Sequence, residues 1–355
     1  MKKIVGLLTC IPLVLSSNTA NSHEFADVMS DVLPSVAYIQ VDNYLLQNSV
    51  DPLTKESTQI KIPSRPIVGS GFVIDKNNIV TNYHVISFAV SRNTDIYVSF
   101  QGNNQKYKAR ILGYDKISDV ALLELEDEFP SVKIDSGANL RMGDPVFTIS
   151  HFYGIGWSGT HGTISSIDRR DTRYPYINNI QVQLLQGSGS SGGPVFNENG
   201  DVVGMNRSIV AMVPRSPLSL ERSSMLSMVG YPIRGDTVQR AIDNIREDMI
   251  VVRVDLGVSL IDFGPDSLFH LNYKSGTDEF AYGTMVMEVD KNNTLTTLKQ
   301  SDIIISVEGR KFTDPAELLI WLDKQNYKVG DTVNVQVYRD TEVINIAVEL
   351  QIAGL

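Results

Sequence analysis

Between residues 34 and 215 the chain is a succession of short apolar runs, several of them alternating, separated by turn residues. Examples are SVAYIQV (35–41), GSGFVID (69–75), DIYVSF (95–100), DVALLEL (119–125), DPVFTIS (144–150), HGTISSI (161–167), IQVQLL (180–185) and DVVGMN (201–206). A two-residue period places one face of each run inward. Many such runs with few helical patterns imply an all-β barrel or sandwich. The polar, Pro-containing segment 43–66 reads as a long surface loop, and 213–228 as a second.

GDTVQRAIDNIRED (235–248) breaks this pattern. Val238, Ala241, Ile242 and Ile245 recur at helical spacing, with Asp236 as a candidate N-cap. This helix is expected to close a first domain. After it come a strand in 249–260, GTMVMEV (283–289) and a short helix NTLTTLKQ (293–300). A strand (301–312), a helix DPAELLIWLDKQ (314–325) and a final hairpin (331–350) follow. At 355 residues the chain exceeds one ordinary core, and 249–355 has the size of a small α+β domain. The expected division is a leader over 1–22, a β domain over 23–248 and the α+β domain over 249–355.

The first residues carry Lys2 and Lys3, then an apolar stretch from Ile4 to Leu15, then the small-x-small site Ala20-Asn21-Ser22. That is the pattern of a cleaved secretory signal, too short for a comfortable transmembrane span. An uncleaved anchor and a lipoprotein are the competing readings. Leu7-Leu8-Thr9-Cys10 is an imperfect lipobox, which disfavours the second. The mature chain is thus expected outside the cytoplasm, periplasmic or secreted, without a stable membrane span. Cys10 is the sole cysteine, so the mature chain would hold no disulfide, thiol nucleophile or thiolate ligand. The net charge of −10 argues against nucleic acid as a partner. The five histidines show no HExxH-type spacing, and no metal or cofactor is expected.

The chemistry centres on GSGSSGGP (187–194). Its glycines are either slack linker or backbone shaped around a serine. If Ser191 is a nucleophile, Gly189 has a purpose: without a Cβ it can aim its N–H, together with that of Ser191, at a developing oxyanion. Ser191 needs a base, and His84 in NNIVTNYHV follows a strand directly. Asp119, at the mouth of the apolar strand 119–125, is the candidate to orient that base. The three lie in the order His84, Asp119, Ser191.

TNYHV, SDVALLEL and GSSGGP in this order resemble the chymotrypsin-like serine proteases, and specifically the HtrA family of exported bacterial proteases. The resemblance spans roughly residues 30–350. It implies a double β-barrel protease domain with His84 as general base, Asp119 as its orienting carboxylate and Ser191 as nucleophile. It implies an oxyanion hole from Gly189 and Ser191. Leu185 would lie near the base of the specificity pocket, with Met205, Asn206, Arg207 and Ser208 along a wall. No Asp stands at the base position, so a small to medium aliphatic side chain is the expected preference. The C-terminal part resembles a permuted PDZ domain. Leu256, Gly257 and Val258 would meet a peptide's terminal carboxylate, while Leu318, Trp321 and Leu322 would floor the groove. The resemblance further implies unfolded or exported proteins as substrates, C-terminal peptides as PDZ ligands and a homotrimer. A latent, chaperone-like scaffold is the alternative. The sequence departs from the family at Ser190 (usually Asn), at Ser150-His151-Phe152-Tyr153-Gly154 (for GNPFG), at Ser301-Asp302 (for Gly-Asp) and at Arg234 in GYPIR.

Overall fold

A computed structural model describes residues 22–50, 57–152, 155–170, 177–207, 229–263, 283–289, 296–312, 314–325, 327–340 and 342–353. Residues 1–21 of the expected leader, Ser208 and segment 213–228 lie outside them.

Six strands close a first barrel: β1 (Val36–Val50), β2 (Ser57–Asp75), β3 (Asn78–Thr81), β4 (Ile96–Phe100), β5 (Tyr107–Asp115) and β6 (Val120–Glu124), in the order β1-β2-β3-β6-β5-β4. Six more close a second: β7 (Pro145–Phe152), β8 (Gly156–Arg170), β9 (Asn178–Gln183), β10 (Pro194–Phe196), β11 (Val202–Met205) and β12 (Ile233–Arg234), in the order β10-β11-β12-β9-β8-β7. Closure leaves the body of each barrel without a free edge, while the outer ends of β1 and β2 run past it as a two-stranded hairpin. The expected double barrel is thus observed.

The barrels share a core. Phe72, Val80, Val120 and Leu122 from the first pack with Phe147, Ile149, Phe196 and Val202 from the second. Phe147 and Phe196 stack at 5.0 Å. The expected apolar face of helix 235–248 completes it: Val238, Ala241, Ile242 and Ile245 are all buried there. That helix, α3 (Gly235–Asp248), starts at Gly235, so Asp236 sits in the first turn rather than at the cap. Its charge still faces the positive helix end. An N-terminal helix, α1 (Ser22–Val32), was not anticipated. It lies on the second barrel, with Phe25 edge-on to Phe147 at 5.9 Å.

Of segment 43–66, residues 43–50 and 57–66 are strand rather than loop, and 51–56 lie outside the described residues. β1 and β2 pair along their length, from Val36↔Phe72 out to Val50↔Ser57, with a register shift between Val41 and Asn43. Pro63 is tolerated because, among the described residues, the outer part of β2 pairs with β1 alone, so no second ladder needs its missing N–H.

In the C-terminal part, β13 (Val254–Asp255) pairs with β20 (Gln351–Ile352). A second sheet has the order β14 (Val258–Phe263), β15 (Gly283–Val289), β16 (Ile303–Val307), β18 (Thr332–Arg339), β19 (Glu342–Glu349), with β17 (Arg310–Lys311) paired to β16. Helix α4 (Pro315–Asp323) covers it, capped by Asp314, whose carboxylate accepts from Glu317 N–H at 2.8 Å. Two expectations fail here. Run 249–260 is not one strand: Val251 N–H and Met249 C=O bond instead to Tyr114 of β5. Residues 296–300, expected to be helical, are not. The Thr296 hydroxyl accepts from Leu298 N–H and Asp302 accepts from Lys299 N–H, satisfying the backbone locally.

Candidate active site

β3 ends at Thr81, and helix α2 (Tyr83–Arg92) begins two residues later. His84 therefore sits in the first helical turn, its side chain 41% exposed. Asp119 stands just before β6 with φ 57°, a left-handed conformation uncommon for a residue with a Cβ. The strain is held by hydrogen bonds on both its halves. Its main-chain carbonyl accepts from Tyr83 N–H (3.2 Å) and Asn82 Nδ2 (3.0 Å). Its carboxylate accepts from His84 N–H (2.9 Å) and approaches His84 Nδ1 at 2.8 and 3.1 Å. A carboxylate here also complements the helix N-terminus. With Nδ1–H directed at Asp119, the imidazole keeps Nε2 free to accept a proton.

The loop carrying Ser191 is tied to the first barrel. Ser191 C=O accepts from Ser70 N–H at 2.8 Å, and Ser70 Oγ donates to Gly189 C=O at 2.8 Å. Ser70 Oγ also accepts from His151 N–H at 3.0 Å. Gly189 has φ 92° and Gly192 φ 83°. A Cβ on Gly192 would lie 2.2 Å from Ser70 C=O and 2.4 Å from Thr81 Oγ1. The loop thus lies in the seam between the barrels, beside Asn82 and the start of the His84 helix. Among the described residues, neither the Gly189 nor the Ser191 N–H donates to a backbone carbonyl. Gly192→Ala is expected to cost about 2–4 kcal/mol, from positive φ and overpacking together. Urea unfolding measures this, and a variant as stable as wild type would contradict the close approach.

Two of the residues expected to wall the specificity pocket do not. Met205 is fully buried in the core between the barrels. Asn206 is also buried, and its Nδ2 donates to Thr148 Oγ1 at 2.7 Å while its Oδ1 accepts from Gln186 Nε2 at 2.7 Å. Asn206 braces the serine loop, since its C=O accepts from Gly192 N–H and its N–H donates to Gly193 C=O. Arg207 turns inward, its Nε 3.3 Å from Asp119 Oδ2. Leu185 is half-buried. Ser70, Thr148 and Gln186 escaped the sequence reading. The only hint was small polar residues inside apolar strands.

In the C-terminal part, β14 is an edge strand among the described residues, and α4 packs near it, the arrangement that strand addition of a peptide needs. Leu256 is buried, Val258 half-buried, and Gly257 N–H donates to Asp255 at 2.7 Å, so that amide is already engaged. Leu318 and Leu322 are core residues with no exposed surface, which corrects their expected place on the groove floor. Only Trp321 is half-exposed, tilted against Phe312 at 5.3 Å. Among the described residues, no side-chain cluster could hold a metal ion, and no helix is long and apolar enough to cross a membrane.

The trypsin-like peptidase domain family matches residues 69–205, and the PDZ domain family matches 254–350. A protein of Rickettsia prowazekii described as a probable periplasmic serine endoprotease, DegP-like, is 28% identical over 96% of this chain and 68% of its own. The chloroplastic Protease Do-like 1 of Arabidopsis thaliana is 32% identical over 80% of this chain and 63% of its own. The Serine protease Do-like HtrA of Bacillus subtilis is 25% identical over 93% and 73%. Among solved structures, the HtrA-type protease AlgW with decapeptide superposes with a TM-score of 0.71 at 20% identity, over 93% of this chain and 99% of that one, a likeness of fold. The chain thus carries a trypsin-like peptidase domain followed by one PDZ domain, and the relatives it resembles are named as DegP-like and HtrA serine endoproteases.

Proposed function

We propose that the protein cleaves unfolded exported polypeptides through an acyl-enzyme on Ser191. The observation that carries this is the His84–Asp119 pair, at 2.8 Å, beside a serine loop hydrogen-bonded to the same barrel. In this reading Ser191 Oγ attacks the scissile carbonyl carbon while its proton passes to His84 Nε2. The carbonyl oxygen becomes an oxyanion held by the Gly189 and Ser191 amides. Collapse breaks the C–N bond, and the leaving amine takes the proton from His84. Water then attacks the ester with His84 again as base, releasing the carboxylic acid and the serine. Asp119 holds the imidazole in the tautomer this needs. Leu185 is the apolar contact proposed for a small aliphatic side chain.

We place the domain boundary at the end of the helix Gly235–Asp248, with the PDZ domain binding peptide C-termini along β14. Relatives named periplasmic support an exported location for this chain. The test is a fluorophosphonate probe on the full chain. Expected are labelling at Ser191, and loss of both labelling and unfolded-casein cleavage in a folded Ser191→Ala variant. Cleavage that survives in that variant overturns the assignment, and a wild-type chain that never labels favours the scaffold reading instead.

A further inference from the structure

Ser70 lies on β2, wholly buried between the barrels. Its hydroxyl joins three segments. Oγ accepts from His151 N–H of β7 at 3.0 Å and donates to Gly189 C=O of the serine loop at 2.8 Å. Chemistry fixes the direction of this chain. A main-chain N–H can only donate and a carbonyl can only accept, so the single hydroxyl hydrogen belongs to Gly189. The far end is itself held. The His151 imidazole stacks on Tyr38 of β1 at 3.7 Å between ring centres and meets Trp157 of β8 edge-on at 5.4 Å.

Gly189 is where such a restraint matters. Its φ is 92°, and a residue without a Cβ has wide freedom around that value. Bonds inside the loop set its shape. Ser190 N–H and Oγ both donate to Gly187 C=O, at 3.0 and 2.7 Å, and Gly193 N–H donates to Ser190 C=O at 2.9 Å. They do not set its place relative to the barrel that carries His84. Ser70 does so twice, through its N–H to Ser191 C=O at 2.8 Å and through its hydroxyl to Gly189 C=O. Among the described residues, that hydroxyl is the sole hydrogen-bond donor to the Gly189 carbonyl. The Ser191 end is therefore tied by backbone, and the Gly189 end by one side chain.

We propose that Ser70 is a positioning residue for the oxyanion, acting through Gly189; this rests on the acyl-enzyme reading above. By holding the Gly189 carbonyl, the hydroxyl keeps the Gly189 N–H aimed at the oxygen that the Ser191 N–H also meets. Donors already in place stabilise the developing charge without reorganisation. The hydroxyl carries no proton for the reaction, and it bonds neither His84 nor Asp119.

The test is Ser70→Ala in the full chain. The bonds from Ser70 N–H to Ser191 C=O and from Thr81 Oγ1 to Ser70 C=O do not involve the side chain, so the nucleophile keeps its tie to the first barrel. Steady-state kinetics on a fluorogenic peptide are compared with inhibition by a peptide aldehyde of the same sequence, whose hemiacetal oxygen takes the place of the oxyanion. Expected is a fall in kcat of about thirtyfold with KM unchanged, less than on deleting a donor outright because here the donor is displaced, not removed. The aldehyde inhibition constant should rise by the same factor, since both report the same oxygen. The pH at which kcat/KM reaches half its maximum should not move. A merely structural hydroxyl predicts a lower urea midpoint, with kcat per fluorophosphonate-titrated site and aldehyde affinity as in wild type. That result overturns the proposal, as does a fall in kcat without a matching loss of aldehyde affinity. If Ser70→Ala does not fold, Ser70→Cys keeps the side-chain volume with a weaker donor and is read by the same two constants. A joint loss supports the proposal, and wild-type values of both overturn it. A wild-type chain that neither labels nor cleaves defeats the acyl-enzyme reading first. A labelled wild type whose folded Ser70→Ala variant is as fast defeats this inference alone.

Discussion

Asp119→Asn is expected to lower kcat about ten-thousand-fold with little change in KM, the scale of loss when the orienting carboxylate of a serine-protease triad becomes an amide. The hydrogen bonds at this residue dictate the direction. His84 N–H donates to Oδ1 at 2.9 Å, so an asparagine there keeps its carbonyl oxygen on that side. Its NH2 then faces His84 Nδ1, which must become the acceptor. The ring proton moves to Nε2, and the base can no longer take the proton of Ser191. The amide would also present N–H groups to Arg207, whose Nε now meets Oδ2 at 3.3 Å, and that ion pair is lost. The carbonyl clamp from Asn82 and Tyr83 does not involve the side chain, so the positive-φ backbone should persist and the fold with it. Steady-state kinetics on a fluorogenic peptide, with circular dichroism for the fold, checks this. A loss of less than tenfold would mean that Asp119 is not what fixes the tautomer.

The sequence shows its barrels where one face of a strand is apolar. The runs 119–125 and 144–150 show as continuous apolar runs because both faces are buried, whereas the run 95–100 is legible because burial alternates along β4, a local property that survives in one dimension. Helix 235–248 is legible for the same reason at its own period. The outer hairpin of β1 and β2 is not, because Pro63, Pro66 and the polar residues between Asn43 and Arg65 suit loops, and only the long pairing from Val50 to Ser57 inward makes them strand. His84, Asp119 and Ser191 stand out through their neighbours in sequence. The residues that brace them do not. Ser70 acts on Gly189 across 119 positions, Asn206 on Thr148 across 58, and Arg207 on Asp119 across 88. A serine, an asparagine or an arginine in a strand or turn is ordinary composition, and only closure of the barrels decides what it touches. The same holds for Met205, Leu318 and Leu322. Their types suit a groove as well as a core, and the choice depends on which face the element turns inward.

The junction between the two parts carries the second large effect. Arg253 is 1% exposed, and it bonds Asp115 and Ser118 of the first barrel as well as Asp323 at the end of α4. Asp115 is wholly buried and accepts through its other oxygen from Ile117 N–H (3.1 Å) and Ser118 N–H (3.0 Å), so it shapes the turn that leads into Asp119. Replacing Arg253 by Ala strands two poorly solvated carboxylates and is expected to cost about 3–5 kcal/mol, the usual penalty for breaking one half of a buried ion pair. Asp323→Asn should cost far less, about 1 kcal/mol. Burial pushes the Asp323 carboxyl above the ordinary range, outweighing the pull of Arg253 and Arg240. A raised carboxyl binds its proton more tightly folded than unfolded, so its ionisation costs stability as pH rises through the carboxylate range. A neutral amide removes that cost while giving up one bond, and Arg253 keeps Asp115 and Ser118. Urea unfolding followed by tryptophan fluorescence separates the cases, since Trp157 lies in the second barrel and Trp321 in α4. Because the 115–118 turn positions Asp119, Arg253→Ala should also slow probe labelling of Ser191 at temperatures where it remains folded. If Asp323→Asn destabilises as much as Arg253→Ala, the arginine matters through the α4 contact, and the turn before Asp119 does not depend on it.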